Sequence, residues 1–524
     1  MSGSTLPHGH VTPLARRLAA APDPLALFAA LTDGGRRSDT ALLESADRPH
    51  GERSILVPRC AVRLTARGGE VEARALTPNG RRALSFIAER LEARCVGREG
   101  DDLARFCFPL PVGEPSERAR LTAASPLDAL RVLSRAWTLT SRPSALPLLA
   151  VGVFAYDQID AFESLPPARE DPHGYPDFVF WLPEQMVMVD HRENTTTVLA
   201  HVFGGAGSER GQADAAGAVE LLTRACEDVT LALPRVQEGP GAPGGFACDQ
   251  SDEAYAAVVM RAKGHIVAGD VFQIVPSRTF SGPCPDPLAA YTRLRALNPS
   301  PYMFYLRRDD DTLFGASPET SVKVAGGRVE IRPIAGTRPR GRVDGRLDDD
   351  LDSRYEAELR TDEKEVAEHM MLVDLARNDV ARVSEPGSRR VDGLLTVDRY
   401  SHVMHLVSYV SGQLRGGLDA LHAYAASMNM GTLVGAPKVK AATLLREMEA
   451  TRRGPYGGAV GYLSCDGEMD TAIVIRSALV VDGVAHVRAG AGVVYDSDPK
   501  AETDETRRKA EAVLRALGAP EVTP

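Results

Sequence analysis

The spacing of apolar residues predicts a succession of helices and strands, most clearly beyond residue 250. Tyr255, Val258, Val259, Ala262 and Ile266 recur at helical intervals, with Ser251 placed to cap the helix and Gly269 to stop it. "VFQIVPSRTF", from Val271, reads as a strand, and "SVKVAGGRVEIRPI", from Ser321, as a hairpin turning at Gly326-Gly327. Later, Asp466-Gly467 and Asp482-Gly483 separate three β-rich runs, "GGAVGYLSC", "DTAIVIRSALVV" and "VAHVRAGAGVVY". Asp-Gly between such runs signals hairpins, so a three-stranded antiparallel meander is predicted. "AETDETRRKAEAVLRAL" then closes the chain as a helix. Hairpin-joined strands with separate helices packed on them predict an α+β fold. The expected form is a layered α/β sandwich with mainly antiparallel sheets, rather than a parallel doubly wound one.

"VQEGPGAPGGFA", from Val236, lacks any apolar period and is rich in Gly and Pro. It divides the chain into an N-terminal part, 1–235, a linker, 236–248, and a C-terminal part, 249–520. With 524 residues, 44% of them hydrophobic, the chain can bury a large core. Its net charge of -10 disfavours nucleic acid and membrane surfaces as partners, so an anionic substrate would need local cations or a metal. "MSGSTLPHGHVTPLARR" has no apolar signal-peptide core, and "ALPLLAVGVFAY" is too short to span a bilayer. Seven cysteines stand singly without a CxxC, as in a reduced cytoplasmic protein.

"KEVAEHMML" places Glu365 and Glu368 one helical turn apart. Alone, such a pair is a solvated acidic face. A second pair, Glu502 and Glu505, lies on the closing helix, with Asp504 and Arg508 reading as surface residues beside it. Together the pairs suggest a four-carboxylate site for a hard cation, suited to Mg²⁺ better than to Zn²⁺. Gly490 and Gly492 at a strand end allow close approach of a ligand to the backbone, or form a bulge. "GTLVGAPKVKA" lacks the GK[ST] ending of a phosphate loop.

"PIAGTRPRG", "DEKEVAEHMMLVDLARND", "SHVMHLVS", "MGTLVGAPK", "GPYGGAVGY", "DTAIVIRSA" and "RAGAGVVYDSDP" occur in that order. This set resembles the chorismate-utilising enzymes, and among them the synthase component (component I) of anthranilate synthase. The likeness extends to "LLESAD" near the start and "NPSPYMFY" mid-chain. It implies the family's chorismate-binding fold and a Mg²⁺ ion gripping the ring carboxylate of chorismate. The ligands would be Glu368 and Glu505, with Glu365 and Glu502 supporting through water. Arg476 and Tyr456 match the residues that hold the enolpyruvyl carboxylate. Ala335, Gly336, Thr337, Gly490, Ala491 and Gly492 match further substrate contacts. Glu319 matches a general acid and His405 the catalytic histidine, with Thr432 and Gln273 beside them. Sister enzymes that add water carry Lys where Gln273 stands, and aminodeoxychorismate synthases carry Lys where Ala335 stands. Both positions favour direct addition of ammonia.

The resemblance further implies synthesis of anthranilate and pyruvate through 2-amino-2-deoxyisochorismate, the first step toward tryptophan. Tryptophan would inhibit by binding at Glu44, Ser45, Arg53, Pro301, Tyr302 and Met303. None of the seven cysteines sits in a Gly-rich nucleophile elbow, so ammonia from glutamine is expected to come from a partner. That partner would be the glutamine amidotransferase subunit, component II.

Overall fold

The computed structural model describes residues 5–46, 53–110, 116–144, 146–167, 169–229, 245–343, 346–400 and 403–519. Most of the expected linker, 236–244, lies outside the described residues. Its end, Ala247–Cys248, is a short strand on Ser277–Pro283. The helix expected after Ser251 runs Asp252–Val267, and the Ser251 hydroxyl accepts from the Ala254 N–H. The Gly326-Gly327 hairpin forms between Thr320–Ala325 and Arg328–Ile331, with both glycines at positive φ.

Two strand expectations are corrected. "VFQIVPSRTF" is broken at Val275-Pro276 into Gln273–Ile274 and Ser277–Pro283. Pro276 has no N–H to continue a ladder. The pieces accordingly pair with different strands, Gly435–Ala436 and Val484–Gly490. The expected three-stranded meander is instead two separate hairpins, because "DTAIVIRSALVV" splits into Met469–Ile473 and Ser477–Val481, which do not pair with each other. Arg476, at φ 48°, turns the chain between them. Met469–Ile473 pairs with Ala459–Ser464 and Thr320–Ala325, whereas Ser477–Val481 pairs with Val484–Gly490 and Asp311–Ser317. An apolar run buried on both sides carries no mark of such a change of neighbours.

Strands from either side of the expected linker share one hydrogen-bonded sheet network, mainly antiparallel. Thr40–Glu44 pairs with Tyr302–Arg307, and Leu149–Phe154 with Ala459–Ser464. Helices pack on this network. Glu363–Val383 is started by Asp362, whose carboxylate accepts from the Lys364 and Glu365 N–H groups. Pro499–Ala516 is started by Asp498, accepting from Ala501 N–H. Each acidic pair of the sequence therefore lies at the N-terminal end of its helix, where the dipole favours anions.

Gly152 lies where the two parts join, opposite Gly461 on one side and Phe180 on the other. A Cβ there would come 2.1 Å from the Val179 carbonyl oxygen. Gly152→Ala should destabilise by about 1–3 kcal/mol. In helix Ser208–Asp228, a Cβ on Gly217 meets nothing within 4 Å. Gly217→Ala should therefore stabilise by about 0.5–1 kcal/mol. Thermal melts of the two variants should move in opposite directions, and an unchanged Gly152→Ala melt would refute the close approach.

Candidate active site

A cavity of about 530 Å³ is lined by every catalytic, substrate-binding and metal residue anticipated above except Ala491. Ala491 is fully buried, and its N–H donates to the Pro276 carbonyl and the Tyr255 hydroxyl, so it anchors the end of its strand.

Glu319 follows strand Asp311–Ser317 in a Ser-Pro turn and is buried. Thr432, on the single helical turn Gly431–Val434, donates from Oγ1 to Glu319 Oε1 at 3.1 Å. Burial pushes the Glu319 carboxyl up to about 7, against the Thr432 hydrogen bond and the positive charges of Lys509, Arg476 and Arg332. His405 sits on strand Val403–Gln413 opposite Thr337, with Nδ1 2.9 Å from Thr337 Oγ1. Burial, then the charge of Arg476, lowers its imidazole to about 4, so it is neutral near pH 7.

Arg476 reaches the cavity from its left-handed turn, and its guanidinium makes no hydrogen bond or ion pair with the described residues. Burial lowers its pKa, opposed by the more distant charges of Glu319 and Glu505. Tyr456 lines the same wall, and a Cβ on Gly490 would lie 3.2 Å from the Tyr456 hydroxyl. On Gly492 a Cβ would lie 2.7 Å from Gln273 Nε2, the atom that donates to Glu368 Oε1 at 3.1 Å. Glycine at both positions keeps this wall close.

The four acidic residues carry oxygen donors only, as a hard cation needs. Burial raises the pKa of Glu368, and the neighbouring charge of Glu365 adds to it. Burial and the charge of Glu505 do the same for Glu502. Burial works against ionised Glu505, but Lys509 and Arg508 outweigh it and hold its carboxyl below the usual range. As placed, the acids lean on protein cations: Glu365 on Arg338 at 3.2 Å, Glu505 on Arg508 at 2.8 Å and on Lys509 at 3.4 Å. Among the described residues no three His, Cys, Asp or Glu stand close enough together to hold an ion without moving. The donor chemistry fits a divalent cation, and binding it requires these ion pairs to rearrange.

Lys364, Arg488, Arg508 and Lys509 also line the cavity and were missed from the sequence. Arg508, expected on the surface, forms part of the rim. Lys509 was findable, since it follows Glu505 by four residues on one helix face.

The six residues expected around tryptophan fall around the Thr40–Glu44 and Tyr302–Arg307 pairing. Glu44 is buried, opposite Met303, and bonds Tyr291 and Arg295. Ser45 donates to the Pro301 carbonyl at 2.9 Å. Tyr302 instead donates to Asp470, and Arg53 pairs with Asp190 at the edge.

Residues 92–515 match the family model described as chorismate binding enzyme. The chain belongs to the chorismate-binding enzymes. It is 50% identical over 500 residues to anthranilate synthase component 1 of Vibrio cholerae serotype O1, covering 94% of each chain. To the protein of that name from Escherichia coli K12 it is 48% identical, again over 94% of each. The crystal structure of anthranilate synthase component I from Streptococcus pneumoniae TIGR4 superposes with a TM-score of 0.69 at 31% identity. That match covers 89% of this chain and 92% of the other. Among the described residues no helix is long and apolar enough to cross a membrane.

Glu319 gives this site a stability signature. Its folded pKa of about 7 lies above the ordinary 4.5, so its contribution is fully present below 4.5 and lost as pH rises through 7. The stability of wild type minus that of Glu319→Gln should fall by roughly 3 kcal/mol across this window. Parallel pH–stability curves for the two proteins would contradict the burial assigned to Glu319.

Proposed function

We propose that this chain is the synthase component of an anthranilate synthase, converting chorismate and ammonia to anthranilate and pyruvate through 2-amino-2-deoxyisochorismate. The observation that carries the reading is the meeting, in one cavity, of an unpartnered Arg476, a Glu319 that holds its proton and a neutral His405.

Chorismate is a dianion. The Arg476 fork and the Tyr456 hydroxyl hold its enolpyruvyl carboxylate, while the backbone of Ala335, Gly336, Gly490 and Gly492 walls the ring. Glu368 and Glu505, with Glu365 and Glu502 through water, would hold Mg²⁺. When bound, Mg²⁺ supplies positive charge that draws the ring carboxylate to an otherwise acidic wall. Ammonia adds at C2 while Glu319 passes its proton to the departing C4 hydroxyl, which leaves as water. Gln273 and Ala335 offer no amine base or nucleophile in place of ammonia. Neutral His405 then takes the C2 proton as the C3–O bond breaks, the departing enolpyruvate takes up a proton at its methylene carbon to become pyruvate, and the ring becomes aromatic. In this reading residues 249–520 form the catalytic part. Residues 1–235 supply Glu44 and Ser45 to a tryptophan site that Met303 of the catalytic part completes, and a glutamine amidotransferase subunit supplies ammonia in the cytoplasm.

The purified chain with chorismate, Mg²⁺ and ammonium should generate anthranilate fluorescence. Glutamine alone should give none, EDTA should abolish the signal until Mg²⁺ is restored, and tryptophan should inhibit. Absence of anthranilate with ammonium would overturn the activity. Glutamine-dependent synthesis by the single chain, metal-independent turnover or indifference to tryptophan would overturn the partner, metal and regulatory assignments respectively.

A further inference from the structure

Glu449 and Arg453 lie behind the cavity wall without lining it, and both are buried. Glu449 follows helix Lys438–Met448 and gathers donors from three places. These are the Ser277 N–H at 2.9 Å and hydroxyl at 2.7 Å, Arg453 Nη2 at 2.6 Å, and Arg488 Nη2 at 3.0 Å. Arg453 turns its remaining donors outward to two backbone carbonyls. Nη1 donates to Leu433 at 2.6 Å and Nη2 to Val275 at 2.7 Å. The guanidinium also lies 4.5 Å from the Tyr156 ring centre and 5.8 Å from that of Tyr456.

Each attachment adjoins a residue of the site. Leu433 follows Thr432, which holds Glu319. Val275 is two residues beyond Gln273, Ser277 pairs with Gly490, and Tyr456 is three residues beyond Arg453. The N-terminal part reinforces the same turns: Asn429 donates to the Tyr156 carbonyl, and the Gly454 N–H to Asp157. An ion pair needed only for stability could sit anywhere in the core. This one spends its hydrogen bonds on the backbones of Leu433, Val275 and Ser277, beside Thr432, Gln273 and Gly490.

We infer that Glu449 and Arg453 are a positioning pair for the reaction, fixing together the separate turns that carry the site. The inference rests on the reading that this cavity turns over chorismate. Lysine at 453 keeps the charge beside Glu449, but one ammonium cannot span both carbonyls as the planar fork does. Breaking a buried pair outright is strongly destabilising, so the conservative change is the informative one.

The test compares wild type, Arg453→Lys, Thr432→Val and the double variant in the ammonium-dependent anthranilate assay, with hydrogen exchange on the same proteins. Arg453→Lys should lower kcat by about tenfold or more, since small misplacements of reacting groups have large effects. The double variant should lose less than the product of the two single losses, because part of the Arg453→Lys effect runs through Thr432. Amides of residues 430–434 and 273–275 should exchange faster in Arg453→Lys while the remaining core stays protected. Losses that multiply, or exchange unchanged at those segments, would overturn the inference. Should Arg453→Lys fail to fold, Ser277→Ala, which removes one donor to Glu449 and keeps the ion pair, gives the exchange readout at 273–275. Exchange does not depend on turnover, so a wild type that makes no anthranilate refutes the activity while exchange still decides the positioning role.

Discussion

A guanidinium lowered into a cavity where no carboxylate among the described residues pairs with it is the constraint on which this site turns. Arg476 takes a left-handed backbone conformation that L side chains rarely adopt, and does so between two strands that serve different neighbours. Such strain persists only where the surrounding ladders impose it. It aims the side chain into a space where its charge is partly desolvated and where the described residues offer it no hydrogen-bond acceptor. A planar anion entering that space relieves the desolvation and uses the geometry of the fork.

The same burial sets the protonation of the chemical groups. Low polarity favours the neutral form of each, so it raises Glu319 to about 7 and lowers His405 to about 4. One environment thereby provides a proton donor and a proton acceptor near neutral pH, with Arg476 reinforcing the neutrality of His405. Along the rim the balance differs. Carboxylates at two helix starts are held by the half-buried Arg338 and the exposed Arg508 and Lys509.

Legibility in the sequence followed locality. The Ser251-capped helix, the Gly326-Gly327 hairpin and the closing helix are written in neighbouring residues and form as expected. Strand breaks at Pro276 and Arg476 depend on which distant strands lie alongside, and an apolar run does not record that. The cavity lining was legible through motifs, because short glycine-, carboxylate- and arginine-bearing stretches resemble a known family. Its supports were not. Tyr156, Asp157 and Arg453 act through backbone carbonyls and amides across long chain separations, and no spacing rule marks them. Lys509 was in plain view at helical spacing but was overshadowed by the acids beside it.

Arg476, as the proposed anchor of an anionic substrate, is the most direct place to test the site. Isothermal titration of chorismate into wild type and Arg476→Gln, both with Mg²⁺, measures that anchor. Loss of a hydrogen-bonded charge pair worth about 1.5–3 kcal/mol should weaken binding roughly 10- to 100-fold while the thermal melt is unchanged or higher, since a desolvated cation is removed. Equal affinity for chorismate in the two proteins would contradict it.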